Sequence, residues 1–73
     1  MIRVKLQEVI RAYEKRTGEP LTYAKLSKMS GVARATIESL GSRSGYNTTL
    51  STIDKLCTAL ECGLTDLVDY RPD

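Results

Sequence analysis

An all-α fold of five short helices is what the sequence predicts, and three observations carry that expectation. Apolar residues recur at helical spacing in two long stretches, Leu6, Val9, Ile10 and Tyr13 early in the chain and Ile53, Leu56, Cys57 and Leu60 later. The core palette is aliphatic: the chain has four Tyr, no Phe and no Trp, leaving Leu, Ile, Val, Met and Ala to pack helix on helix. Finally, 73 residues that are 41% hydrophobic and 27% charged suit one small globular domain, near the lower limit for folding on its own core.

The first helix is expected over residues 5–16, with one apolar stripe and Gln, Glu, Arg and Lys between. Gly18 can close it in a left-handed cap, and Pro20 prevents continuation. Thr22 is a good N-cap for a second helix over 23–29, with Ala24, Leu26 and Met29 expected inward. Gly31 can take the positive φ of a sharp turn before a third helix over 34–40, anchored by Ile37 and Leu40. That helix starts weakly, because Ala33 has no side-chain oxygen to accept from an orphan amide. Residues 41–48 read as a polar exposed loop. Thr49 caps a fourth helix over 50–61, with Leu50, Ile53, Leu56, Cys57 and Leu60 as its apolar stripe and Cys62-Gly63 closing it. One more turn follows over 64–68, and Pro72 holds residues 69–73 extended. A small two-stranded ribbon between the β-branched N-terminus and this tail would cover two otherwise frayed ends.

The chain carries no histidine, and its two cysteines, Cys57 and Cys62, have no other soft ligand nearby. Zinc sites and histidine-based triads are thereby excluded, and no catalytic residue, metal or cofactor is expected. The cysteines are read as buried or half-buried thiols in a reducing compartment. No signal-like apolar run opens the chain and no stretch is long enough to span a bilayer, so a cytoplasmic protein is expected. Net charge is only +2, but it is unevenly spread. Residues 1–43 carry nine Lys/Arg against four Asp/Glu, and residues 44–73 two against five. That asymmetry suits either a face turned to a polyanion or a merely solvated charged surface.

The informative segment runs from Leu21 to Leu40. Two short helices joined by a turn containing Gly31, with small Ala24 at the expected crossing and Val32 plugging the turn, make the pattern of a helix-turn-helix over about 22–41. Leu21-Thr22-Tyr23-Ala24-Lys25-Leu26-Ser27, Gly31-Val32-Ala33-Arg34-Ala35-Thr36-Ile37 and Leu50-Ser51-Thr52-Ile53-Asp54-Lys55-Leu56-Cys57-Thr58-Ala59-Leu60 resemble the Cro and phage-repressor type, the XRE-like regulators of bacteria and phages. Leu64-Thr65-Asp66-Leu67-Val68 is similar to that family's fifth helix, so the likeness covers nearly the whole chain, 1–73, as a single lambda-repressor-like DNA-binding domain. The chain departs from the pattern at Ala33, in a slightly long connection over 17–20, and in a longer, Ser/Thr-rich loop over 41–49.

The resemblance implies sequence-specific binding to a double-stranded DNA operator, with the helix starting near Arg34 in the major groove, and a role in transcription regulation, as a repressor. Its outward residues Arg34, Ala35, Thr36, Glu38 and Ser39 are the implied base readers. Arg34 suits guanine and Ala35 a thymine methyl. Glu38 is either an acceptor for cytosine or the i+4 partner that orients Arg34. Thr22 and Tyr23 at the start of the preceding helix, and Arg43, Ser44, Asn47, Thr48 and Thr49 in the loop, are the implied contacts to the DNA backbone. Lys25 and Lys28 are ambiguous between contacts to the DNA backbone and solvated lysines, the second being the preferred reading. One such domain reads a half-site, so a homodimer is expected, using the region of the last two helices and the tail around Val68, Tyr70 and Pro72, with Tyr70 alternatively in the core. The rival reading keeps the scaffold as a protein-binding module, such as an antitoxin or anti-repressor.

Overall fold

The computed structural model describes residues 1–43 and 47–72. Its elements are β1 (Ile2–Val4), α1 (Leu6–Thr17), α2 (Tyr23–Ser30), α3 (Arg34–Ser42), α4 (Leu50–Leu60), α5 (Leu64–Leu67) and β2 (Val68–Tyr70). The five helices surround an aliphatic core. Leu6, Leu26, Ile37, Leu40, Leu56, Leu60 and Leu67 are its most buried side chains, and Val4, Val9, Ile10, Leu21, Val32 and Ile53 complete it. Among the described residues no polar or charged residue is buried, so burial of apolar surface holds the fold together.

The ends of the chain form the ribbon. β1 and β2 pair antiparallel, with Ile2 opposite Tyr70 and Val4 opposite Val68. The Arg71 amide donates to the Met1 carbonyl at 2.8 Å, and the Lys5 amide donates to the Leu67 carbonyl at 2.7 Å, tying the start of α1 to the end of α5.

Local chemistry sets most helix ends. Gly18 (φ 75°) and Gly31 (φ 77°) take left-handed caps, returning their amides to Glu14 and Ser27. The hydroxyls of Thr22 and Thr49 each accept a third-residue amide at 3.1 Å, from Lys25 and Thr52. Ala33 caps α3 with no side-chain bond.

Several expectations need correction. α1 lies one residue later than 5–16, and α2 extends through Ser30. Ala24 and Met29 do not face inward: both are exposed, Met29 at 39%. The buried side of α2 is set by Leu26, flanked by half-buried Tyr23 and Ser30, and Ala24 lies about 100° round from Tyr23. Gly41 and Ser42 belong to α3 and not to the loop. α4 ends at Leu60, and Glu61 itself takes the left-handed cap (φ 53°), whereas Gly63 keeps an ordinary negative φ. Leu50 is 85% exposed and so leaves the apolar stripe; it is the first helical residue and overshoots the core. α5 is a single turn, with Val68 passing into β2. Tyr70 is 68% exposed, which excludes it from the core.

Contacts of Arg16 and Glu14 escaped sequence reasoning. Arg16 donates to the carbonyls of Leu60 (3.0 Å) and Glu61 (3.4 Å), closing the C-terminus of α4 with a cation, and lies 5.4 Å over the Tyr13 ring. Glu14 accepts the Leu21 amide at 2.8 Å and steers the chain into α2.

Candidate nucleic-acid interface

α2, the three residues Gly31, Val32 and Ala33, and α3 form a helix-turn-helix in the space of twenty residues. Hydroxyls fix the turn. Ser27 donates to the Val32 carbonyl at 2.6 Å, Ser30 donates to the Leu26 carbonyl at 2.7 Å, and the Val32 amide donates to the Ser30 hydroxyl at 3.1 Å. With Val32 buried below them, these bonds set the direction in which α3 leaves the turn. Sequence reasoning assigned the turn to Gly31 and Val32 and missed the two serines.

α3 is two-sided. Ile37 and Leu40 are buried, Thr36 and Ser39 half-buried, and Arg34, Ala35 and Glu38 exposed. All five implied base readers therefore lie outside the core. The Arg34 Nε donates to Glu38 Oε1 at 3.1 Å, and both side chains keep more than half their exposure, 63% and 52%. The pair has the i,i+4 spacing of a helix-surface ion pair.

The implied backbone contacts are placed less uniformly. Thr22 is exposed and Tyr23 half-buried, both at the start of α2. Arg43, Asn47 and Thr49 are exposed and Thr48 is half-buried; Ser44 lies outside the described residues. Lys25 pairs with Glu19 at 3.5 Å on the surface. Gln7, which sequence reasoning passed over, donates from Nε2 both to the Tyr23 hydroxyl and to the Gly41 carbonyl, each at 3.2 Å. It thereby joins α1 to both motif helices.

A packed pair of short helices with a polar outer face on the second is the structure of a DNA-binding helix-turn-helix domain. The family model for the Cro/C1-type HTH DNA-binding domain matches residues 19–73, and the chain belongs to that family. No curated protein matches the chain. DNA binding is thus the chain's activity, with transcription regulation its natural setting. Among the described residues no cluster of three or more His, Cys, Asp or Glu is arranged to hold a metal ion, and no helix is long and apolar enough to cross a membrane.

Proposed function

We propose that α3 enters the major groove of double-stranded DNA and that the protein works as a dimeric, cytoplasmic transcriptional repressor. The observation that carries this reading is the outer face of α3, where an exposed, pre-oriented Arg34 stands in the first turn and the C-terminal tail is occupied by its pairing with β1. A guanidinium already held by Glu38 loses less conformational freedom on binding, and its terminal amines suit the O6 and N7 acceptors of guanine. Ala35 offers a methyl to thymine, while Thr36 and Ser39 have short reach and contact bases or sugar nearby. Glu38 serves as positioner of Arg34.

Thr22, Tyr23, Arg43, Asn47, Thr48 and Thr49 would hold the phosphates on either side. The Thr22 hydroxyl accepts from the Lys25 amide and keeps its own proton for a phosphate oxygen. Repression follows most simply from occupancy, since a bound protein excludes others from its site without needing a second contact.

Dimerisation is supported by apolar side chains left in solvent. Leu50 (85% exposed), Ile2 (61%) and Leu64 (59%) line one groove over buried Val4 and Ile53 and half-buried Val68, and Asn47 and Thr48 form its polar edge, where the dimer surface would meet the phosphate contacts. This groove joins the last two helices to the ribbon, the region in which a second copy is expected.

Selection of bound sites from random duplexes tests the reading, followed by gel shifts with Arg34→Ala on the enriched sequence. The expected product is a near-palindrome with half-sites about one helical turn apart. Arg34→Ala should weaken specific binding by about 1–3 kcal/mol and spare nonspecific binding. Failure to bind any duplex at moderate salt would favour the protein-binding module instead.

A further inference from the structure

We propose that Gln7 is a positioning residue for DNA: it turns the Tyr23 hydroxyl proton outward, toward a phosphate oxygen. This rests on the reading of Tyr23 as a backbone contact and adds a residue from outside the helix-turn-helix to the binding apparatus.

An amide side chain has one donor end and one acceptor end, and which end faces a hydroxyl is ambiguous when the hydroxyl is its only neighbour. Here the ambiguity is removed, because the same Gln7 Nε2 lies 3.2 Å from the Gly41 carbonyl oxygen, which can only accept. The nitrogen must therefore face this corner, and one of its two protons goes to the Tyr23 oxygen, also at 3.2 Å. With its oxygen accepting from Gln7, the phenol keeps its own proton for another acceptor. Both bonds lie at the exposed surface, where α1, the start of α2 and the end of α3 meet. An acceptor-only phosphate oxygen is what such a proton suits, and neutral donors of this kind fix the register of a protein on the duplex.

Gly41 holds the ring in place. A β-carbon there would overlap the Tyr23 hydroxyl and come within 2.9 Å of its Cζ, so the tyrosine rests on the bare backbone of α3. The hydroxyl is thus located by α3 and given its polarity by α1.

The test is a double-mutant cycle on the duplex that the wild-type protein selects, with Tyr23→Phe, Gln7→Met and the double variant. Tyr23→Phe should raise Kd about three- to tenfold, in line with loss of one hydrogen bond. Gln7→Met, at an exposed position and with unchanged melting temperature, should raise it by a similar factor. The double variant should be no weaker than Tyr23→Phe alone. Replacing phosphates singly by methylphosphonates should reveal one position whose effect on the wild type vanishes in both single variants, a result that a purely structural role for Gln7 would not give. Wild-type affinity in Gln7→Met, or multiplicative losses in the double variant, would overturn the proposal while leaving DNA reading by α3 intact. Loss of all duplex binding by the wild-type protein would overturn both.

Discussion

The thiol of Cys62 shows how a single side chain is tuned by its surroundings. Burial raises it from an ordinary value near 9.0 to about 11, and the neighbouring Cys57 thiol and the Asp66 carboxylate push the same way, against the lowering effect of Arg16. An unfolded chain ionises this thiol first, so between pH 9 and 11 the unfolded state binds fewer protons than the folded one. Stability from this group is complete below pH 9 and declines as pH rises toward 11. Urea unfolding at pH 8 and pH 10.5 should show that decline in the wild type and a smaller one in Cys62→Ala. Glu61 carries strain of a different kind, holding φ 53° at the end of α4, where glycine is at ease. Glu61→Gly should raise stability by about 0.5–1 kcal/mol, seen as a melting temperature higher by a few degrees. An unchanged or lower melting temperature would mean that the Glu61 side chain contributes more than its backbone costs.

At the scale of the elements, α3, like α1, begins without a side-chain cap. Thr22 and Thr49 give α2 and α4 a hydroxyl cap, whereas Ala33 leaves the first amides of α3 without one. Ala33→Ser should therefore stabilise the protein by about 1 kcal/mol, measured by thermal unfolding. No gain would show that the Ala33 backbone angles hold a hydroxyl out of reach of the Thr36 amide. The comparison of Ala33 with Thr22 and Thr49 also shows what was legible in the sequence. Helix starts and stops depend on chemistry within three or four residues, and Thr22, Gly18, Gly31 and Thr49 all take the roles their side chains suggest. The contacts of Gln7 with Tyr23 and Gly41, sixteen and thirty-four residues away, have no local signature. Gly41 accordingly read as a loop residue, although it is the surface on which Tyr23 rests. Burial in the short helices was equally hard to read. Ala24, Met29 and Leu50 have the right character for a core, and only the packing of neighbouring helices decides that they stay outside it. Of the candidate site, the outward face of α3 was readable because Ile37 and Leu40 fix which side is inward.

For the molecule as a whole, the uneven charge along the chain becomes a division of labour. The basic front half carries the helix-turn-helix, and the acidic remainder carries α4, α5 and the strand that closes the ribbon. Pairing β2 with β1 keeps the tail engaged on the ribbon, while α3 packs against α2 and α1. The most direct measurement of whether α3 reads the major groove is methylation interference on a selected duplex with dimethyl sulfate, which modifies guanine at N7 in the major groove and adenine at N3 in the minor groove. The account predicts that N7 methylation of one guanine in each half-site abolishes wild-type binding, and that Arg34→Ala, already weaker, is indifferent to it. Interference only at adenine N3, or the same guanine interference in wild type and Arg34→Ala, would contradict it.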